Sequence, residues 1–321
     1  EARYRVLREL ARERELAAVA TGHHSDDVAE GVVVQLLRGG GPRALAGIAA
    51  TAEGVIRPLL PWSRAAIEGW LVACGIGWRE DSSNRDPSHL RNLVRHRLLP
   101  QLEGASPGLR GHLVHLAAAL ARDERWFADE LAARGLWIDP WEPQGGVAAA
   151  AVSGLEPPLR QRWLHAQAAR VGIRRVSRRQ GELFEALLLG GGPRGVALGG
   201  RWQLRLARAA LWLEPPRPPA PLEAALEEGR CLDLGLPGWQ IRLAGAGDSP
   251  PDLRYSWRAP EGAKLQVRGA LPGDRVPARG GWRPARAMLA SALPRHLRNA
   301  WPVCCENDRI LWIPGVWRSP E

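Results

Sequence analysis

The stretch Thr21-Gly22-His23-His24-Ser25-Asp26-Asp27-Val28-Ala29-Glu30 decides the fold, because one kind of secondary structure gives way to another there. It follows an apolar run, 16–20, that has the length of a short buried strand. It leads into apolar residues at the three-and-four spacing of a helix. Polar side chains between a strand and a helix are typical of the ligand-binding edge of an open parallel sheet. We therefore expect an α/β fold with its functional site at this stretch.

Outward from this stretch, the patterns divide the chain into three parts. A parallel-sheet domain is expected over 1–105, with helices over 2–14, 64–74 and 89–100 and a short strand over 76–80, and Ser63 is the expected N-cap of the second helix. The last of these helices is expected to stop near Pro100. A helical domain over 106–214 is expected to follow, with a hairpin over 195–213 near its end, and then a proline-rich boundary over 214–221. Short strand patterns predict a small mixed α+β domain over 222–321.

Charge and composition favour a polyanionic partner. The formal net charge is +10 and the sequence pI is about 10.8. The basic residues are almost all arginine, with Lys264 the only lysine, which suits phosphate recognition but is also what GC-rich coding produces. The four cysteines have neither zinc-ligand spacing nor the density of a secreted disulfide scaffold. No signal peptide or membrane-length apolar run is present in the sequence, so a cytoplasmic protein is expected.

Two polar clusters are candidates for a site. Asp27 and Glu30 lie three residues apart at a helix start, where two carboxylates could hold Mg²⁺ or orient an amine. The same residues fit a helix cap, and the sequence alone leaves both interpretations open. His23 and His24 fit metal or phosphate contacts, although a structural histidine is commoner. Arg91 with its helical neighbours fits phosphate binding, but a solvated basic face would look the same.

Taken together, the motifs resemble one family, tRNA(Ile)-lysidine synthase, within the wider ATP-pyrophosphatase (PP-loop) group. The resemblance covers nearly the whole chain in the right order. The matching blocks are Thr21–Glu30 with the following Leu36-Leu37-Arg38-Gly39-Gly40-Gly41, then Ile56–Leu60, Asp81–Asn84, Leu90–Arg95 and Leu98–Pro100, then Leu159–Leu164, and finally Pro272–Arg275, Pro294 with Arg298 and Pro302, and Ile313–Trp317.

The resemblance implies an ATP-dependent ligase that forms a C–N bond on tRNA. ATP would adenylate the C2 oxygen of the wobble cytidine in the CAU anticodon of a minor tRNA(Ile), and free lysine would then displace AMP to give lysidine. ATP and Mg²⁺ are the implied cofactors. By this resemblance, the carboxylates bind the lysine amine or the metal, other residues of the first motif lie near the nucleotide, and arginines contact phosphate or tRNA. The implied residues are Asp27 and Glu30 (catalytic, with Asp27 as the Mg²⁺ ligand), His23, His24 and Asp26 (nucleotide), and Arg91, Asn92, Arg95, Arg268, Arg275 and Arg298 (phosphate or tRNA).

Two departures from the family pattern affect the prediction. The family's phosphate-binding motif, Ser-Gly-Gly-x-Asp-Ser, does not occur in the sequence, and Gly31 stands where the family usually has threonine. The chain starts at Glu1 and its only methionine is Met288, so we expect an N-terminally truncated domain that does not adenylate tRNA by itself. Alternatives are a tRNA-binding remnant without ligase activity and, from the His-His-x-Asp-Asp pattern alone, a metal-dependent phosphohydrolase. The sequence leaves the oligomeric state open.

Overall fold

The computed structural model describes residues 2–52, 54–79, 90–237, 239–244, 255–260, 262–278 and 281–319. The motif block Asp81–Asn84 lies outside the described residues. The chain splits into two compact units, Glu1–Glu130 and Leu131–Glu321. The division into domains after residues 105 and 214 stays a prediction.

The first unit is a small sheet with helices around it. Its strands are β1 (Val19–Ala20), β2 (Thr51–Ala52) and β3 (Val55–Ile56). Its helices are α1 (Ala2–Glu13), α2 (Ser25–Leu37), α3 (Pro42–Leu45), α4 (Arg64–Ala73), α5 (Leu90–Leu93), α6 (Leu99–Ala105) and α7 (Leu109–Arg134), which continues past residue 130. The strand order is β1-β3-β2, with β1 and β3 parallel and β2 antiparallel to β3. The parallel pair on either side of α2 confirms the α/β class.

Two local predictions in this unit are wrong. Residues 76–79 form no strand, because no backbone ladder partner for them is found among the described residues, and an unpaired strand leaves its N–H and C=O groups unsatisfied. The helix expected to stop near Pro100 instead runs on to Ala105. A π-helical turn, Val94–Leu98, comes immediately before it. Proline lacks an N–H and its ring clashes with the carbonyl four residues earlier, and the wider π turn is a helical form that relieves this clash.

Apolar contacts hold α2 on two sides. Val33 and Val34 pack with Val94 and Leu99 of the helical segment that contains the π turn. Val32 is fully buried against α7 in a second cluster. Because both partners are helical and well buried, the first turn of α2, which carries the predicted carboxylates, has a fixed position within the unit.

The second unit contains two larger antiparallel sheets and four helices among its described residues. The first part consists of β4 (Val147–Ala148), α8 (Ala149–Ser153), α9 (Pro157–Arg170), α10 (Arg178–Leu188), β5 (Gly195–Ala197), β6 (Gln203–Ala207) and β7 (Ala210–Glu214). The second part consists of β8 (Ala224–Ala225), β9 (Cys231–Asp233), β10 (Gln240–Arg242), β11 (Gln266–Gly269), β12 (Arg275–Ala278), β13 (Gly281–Pro284), α11 (Ala285–Ala292), β14 (Pro302–Glu306), β15 (Arg309–Ile313) and β16 (Trp317–Arg318).

The sheets of this unit match the predicted mixture of helices and strands. One has the order β4-β7-β6-β5, and the hairpin expected over 195–213 is its three-stranded part. The other has the order β16-β15-β14-β11-β8, and two-stranded ladders join β9 with β10 and β12 with β13. Cys304 and Cys305 lie buried on β14, where burial raises the pKa of the Cys304 thiol to about 12. Cys304 therefore carries almost no thiolate at neutral pH, and burial also raises the pKa of Cys305, so both thiols are ordinary core residues.

None of the described helices combines the length and the apolar character that a bilayer crossing needs.

Candidate functional site

The first turn of α2 is capped by its own acidic residue. His24 is the N-cap, and its backbone N–H donates to Asp27 Oδ2 at 3.0 Å. The helix-cap interpretation of Asp27 is therefore correct in part. The partner of Asp27 in the cap is His24, not Glu30 as the spacing of the two acids had suggested. The other carboxylate oxygen of Asp27 faces away from the cap and takes part in a separate cluster.

Two motifs that are about 60 residues apart in sequence meet at that cluster. Arg91 donates from Nη2 to Asp27 Oδ1 at 2.8 Å and from Nε to Glu30 Oε2 at 3.0 Å. Arg95 forms a fork on Glu30, with Nε 2.6 Å from Oε1 and Nη2 3.0 Å from Oε2. Its Nη2 also lies 3.3 Å from Asp27 Oδ1. Arg91 and Arg95 are four residues apart and lie on one helical face, which is directed at the two carboxylates of α2.

This cluster, which we call the carboxylate–arginine cluster (Asp27, Glu30, Arg91 and Arg95), is charge-balanced and largely buried. Glu30 is 1% exposed and Asp27 8%, and the two guanidiniums offset the cost of burying these acidic side chains. The hydrogen bond to Glu30 is the main cause that raises the pKa of Arg95. Two carboxylates and two guanidiniums therefore fix one another in place, and Arg91, the more exposed of the two arginines, borders solvent.

Asp26 serves as a connector within the first unit. Its Oδ2 accepts the backbone N–H of Arg64, the first residue of α4, at 2.8 Å. Its Oδ1 accepts from Nη1 of Arg110 on α7 at 3.0 Å, and Arg110 also pairs with Glu103. Neither Arg64 nor Arg110 is among the site residues predicted from the sequence. The only available signal was the placement of Ser63 as a helix N-cap, which is confirmed by the bond from the Ala66 N–H to its hydroxyl.

The two histidines have different surroundings. His23 Nδ1 lies 2.9 Å from the Thr21 hydroxyl. Burial lowers the pKa of His23, with Arg57 and Arg91 acting in the same direction and Asp27 opposing them. His24 stands with its two ring nitrogens each 3.6 Å from a carboxylate oxygen, one of Asp26 and one of Asp27. The pair thus separates into a histidine that favours its neutral form and a histidine placed between two acids.

A magnesium site on Asp27 does not fit these residues. Oδ1 of Asp27 already accepts from two arginines and Oδ2 from the His24 N–H. In addition, the described part of the chain contains no group of three or more His, Cys, Asp or Glu side chains arranged to hold a metal ion. A divalent cation needs several oxygen ligands, and guanidiniums next to the same oxygen repel it.

Two other expectations concern single positions near the cluster. Asn92 lies half-buried on α5, one residue after Arg91. Gly31, in the middle of α2, has open space around it, because a Cβ atom built there would meet nothing within 4 Å. Packing around the Cβ position therefore does not require glycine at 31.

The three C-terminal arginines are not equivalent. Arg268 is 6% exposed and forms a two-pronged ion pair with Asp274, at 2.7 and 3.0 Å. Its guanidinium is buried and paired within the second unit, as in a structural ion pair. We therefore do not propose Arg268 as an RNA contact. Arg275 is exposed, and Arg298 is partly exposed with its Nε donating to the Leu293 carbonyl at 3.1 Å. These two present charge at the surface.

Comparisons with known proteins agree with this geometry. Residues 1–102 match the family model of the PP-loop domain. The chain is similar to the tRNA(Ile)-lysidine synthase of Chromobacterium violaceum, with 35% identity over 98% of the chain and 72% of the relative. It is 34% identical to the protein of the same name from Azoarcus sp., over 92% of the chain and 65% of the relative. For the Thermus thermophilus protein the identity is 33%, over 100% of the chain and 54% of the relative.

Proposed function

The chain belongs to the tRNA(Ile)-lysidine synthase family, and from this premise we propose that its first unit binds free lysine for the ligation of lysine to a tRNA(Ile) cytidine. One observation carries the proposal: the acids of the first motif and the arginines of the later one meet in the carboxylate–arginine cluster. Such a cluster at the carboxyl end of β1 has the charges that recognise an amino acid and a phosphate.

The proposed reaction has two steps. ATP activates the C2 oxygen of the wobble cytidine in a CAU anticodon as an adenylate, with release of pyrophosphate. The lysine amine then attacks C2, the C–O bond to AMP breaks, and the amine loses a proton to solvent or to a nearby base. The cytosine has to leave its stack so that C2 can be reached, which is a general requirement for chemistry on a base.

Asp27 is the proposed contact of the lysine ammonium, and Glu30 positions it. Glu30 is more deeply buried, and its oxygens are held by both arginines of the cluster. An arriving ammonium adds one positive charge to a balanced cluster, so one guanidinium should leave Asp27. Arg91 is the candidate, since 44% of its side chain is exposed whereas Arg95 is held in the fork on Glu30. The displaced guanidinium would then be available to a phosphate.

ATP binding is proposed to involve His23, His24 and Asp26, with Asn92 beside the cluster. The backbone amides of a Ser-Gly-Gly-x-Asp-Ser loop hold phosphates in such sites, and that motif does not occur in the 321 residues. We therefore propose that these residues alone do not adenylate tRNA. Because Asp27 does not fit a metal, Mg²⁺ would be bound to the ATP phosphates, as it commonly is.

Incorporation of labelled lysine into a CAU tRNA(Ile) transcript in the presence of ATP tests the function. Protein expressed from the complete reading frame that encodes this chain should incorporate the label. Asp27→Asn and Glu30→Gln should reduce the rate by about 100-fold or more, as expected for loss of a buried charged contact. Glu68→Gln is the matched control, because Glu68 pairs with Arg64 on the surface of α4 and should leave the rate unchanged.

Failure of the complete-frame protein to incorporate lysine would contradict the ligase proposal. If the same protein still bound the tRNA, the alternative of a tRNA-binding remnant would replace it. Wild-type rates in both variants would remove the two carboxylates from the site.

A further inference from the structure

The hairpin of β12 and β13 presents a large aromatic ring to solvent. Arg275 lies opposite Pro284 and Pro277 opposite Trp282 in the antiparallel ladder. Side chains alternate between the two faces of a strand. On one face Val276 is fully buried in the core, and on the other Trp282 is 59% exposed. All four residues of β13 are exposed.

This hairpin is attached firmly enough to hold the ring in a defined position. The indole N–H of Trp317 donates to the Pro277 carbonyl at 3.0 Å, and the Ala285 N–H donates to the Asp274 carbonyl at 2.9 Å. Together with the burial of Val276, these bonds fix β12 and the end of β13 to the unit. The exposure of Trp282 thus follows from the register of a well-anchored ladder and not from a loose terminus.

A guanidinium stands beside the exposed ring. Nη2 of Arg275 donates to the backbone carbonyl of Trp282 at 2.9 Å. By register, Arg275 and Trp282 occupy diagonal positions on the same face of the ladder. The hydrogen bond restricts the arginine side chain, so a planar aromatic surface and a positive charge lie next to each other on one exposed face.

The sequence around the hairpin carries positive charge and no acid. Between residues 275 and 305 there is no aspartate or glutamate. The same segment contains six arginines, namely Arg275, Arg279, Arg283, Arg286, Arg295 and Arg298. The nearest preceding acid, Asp274, forms the buried ion pair with Arg268. A polyanion is the partner that this segment fits by charge.

A second tryptophan in the chain provides a contrast. Trp126 on α7 is 57% exposed, nearly the same as Trp282. Its segment, 123–130, contains four acids, two on each side of the ring and all within four residues of it. If exposure alone defined a contact site, the two rings would be equivalent. Their charge surroundings instead favour a polyanion at only one of them.

We propose that Trp282 and Arg275 form a contact site for an unpaired nucleotide of RNA, with the base stacked on the indole ring and the adjoining phosphate bound by the guanidinium. The proposal deepens the proposed function, on which it rests for the identity of the RNA as tRNA. Base stacking requires an exposed aromatic face and tolerates any base, and arginine supplies the charge that a phosphate requires. An apolar peptide or a second copy of the chain would match the ring but would not need the acid-free surroundings.

Binding of fluorescently labelled RNA to the full 321-residue chain tests the site. Trp282→Ala should weaken binding of a short single-stranded RNA by about tenfold, and Trp282→Phe by less than about threefold, because a smaller ring still stacks. Binding of a blunt-ended RNA duplex should not respond to either change. Arg275→Gln should weaken both RNAs and reduce the dependence of log K on log salt by about 0.7 to 0.9, the contribution of one phosphate contact. Trp126→Ala is the matched control and should change nothing.

Equal affinities of wild-type and Trp282→Ala chains for single-stranded RNA would overturn the proposal. So would an equal loss with Trp126→Ala, or a change of oligomeric state in Trp282→Ala without a change of RNA affinity, which would assign the face to a second copy. These outcomes are separate from lysine incorporation. A protein that incorporates lysine but binds RNA independently of Trp282 keeps its proposed function and loses only this site.

Discussion

The arginines of the first unit and those of the C-terminal segment 275–305 use the same side chain for opposite purposes. Arg91 and Arg95 are neutralised by Asp27 and Glu30 at hydrogen-bonding distances. The segment 275–305 has six arginines and no acid. In the first region the guanidinium fixes the position of a carboxylate. In the second the charges have no acid of their own segment to pair with, and a polyanion would stabilise them.

The pKa shifts of the arginines differ between the first unit and the segment 275–305. In the carboxylate–arginine cluster, the hydrogen bond to Glu30 is the leading cause of the raised pKa of Arg95. In the second unit, burial, followed by the charges of Arg208 and Arg295, lowers the pKa of Arg298. Arg208 donates to the carbonyls of Ala290 and Ser291 at the end of α11, close to the Leu293 carbonyl that Arg298 uses. A net charge of +10 therefore says little about function until each arginine is assigned to one of these two situations.

Removal of Glu30 should have the largest effect on stability. Glu30→Gln leaves Arg91 and Arg95 with Asp27 as the one carboxylate of the carboxylate–arginine cluster. We expect the free energy of unfolding of the first unit to fall by about 2–4 kcal/mol, somewhat below the cost of breaking a fully buried pair because Arg91 is partly exposed. Urea denaturation, together with hydrogen exchange of the α2 amides, measures the loss.

Glu68→Gln serves as the control for this prediction. Its i,i+4 ion pair with Arg64 is partly exposed and lies within one helix, so the change should stay within about 0.5 kcal/mol. An equally small loss in Glu30→Gln would mean that the cluster does not hold α2 in place.

The second largest effect is expected from Arg95→Lys. A lysine keeps the charge but cannot reproduce the fork on the two oxygens of Glu30, at 2.6 and 3.0 Å. The unfolding free energy should fall by about 1–2 kcal/mol, the contribution of a lost charged hydrogen bond. Arg91→Lys should cost less in the same urea titration, since its side chain is more exposed. The opposite order would show that Arg91, not Arg95, anchors the cluster.

Charge removal in the C-terminal segment should change binding and not stability. Arg295→Gln relieves repulsion with Arg298, so the free energy of unfolding should stay within about 0.5 kcal/mol of the wild type. Affinity for tRNA should decrease, and the slope of log K against log salt should become shallower by about 0.9 if one phosphate contact is lost. A salt titration of binding measures this slope, and an unchanged slope would separate Arg295 from the RNA contact.

Much of the fold could be predicted because its signals are local. The cap at Ser63 depends on neighbours within a few residues and is confirmed. The helix that the apolar periodicity predicts also forms, with Val28, Val32 and Val33 buried, but Leu36 and Leu37 at its end are exposed. The continuation of the helix past Pro100 could not be predicted, since a π turn between 94 and 98 accommodates the proline ring and no sequence rule specifies it. The prediction of a strand at 76–79 was wrong for a different reason. A strand forms only where another strand pairs with it, and the local pattern does not show whether such a partner exists.

The site was predictable as a set of residues but not as an arrangement. The motif blocks identified Asp27, Glu30, Arg91 and Arg95, yet nothing local indicated that the arginines would occupy the carboxylates themselves. Arg110 was missed because its partner, Asp26, lies 84 residues away. Arg268 was grouped with surface arginines because its burial beside Asp274 depends on how β11 packs in the sheet. Long-range pairing of charges is the information that the sequence patterns lack.

The smallest expected effect concerns His296, which lies in the segment 275–305. The titration of this histidine tests whether the segment contains a group that stays neutral in the folded chain. Burial lowers the pKa of His296 below 6.5, and the hydrogen bond with the Pro140 carbonyl and the charge of Glu214 oppose this shift. Below pH 6.5 the unfolded chain therefore binds more protons at this position than the folded one, and the unfolding free energy must fall as the pH decreases through 6.5 towards the lowered pKa. The contribution is fully present above 6.5. His296→Gln should flatten the dependence of the unfolding free energy on pH in this range, so the difference between wild-type and variant urea midpoints should change with pH only below neutrality.

A difference that stays constant across this range would show that His296 is as easy to protonate in the folded chain as in the unfolded one. The difference between the first unit and the segment 275–305 would then be larger in one defined respect: the segment would accept one more positive charge without an acid to pair with it.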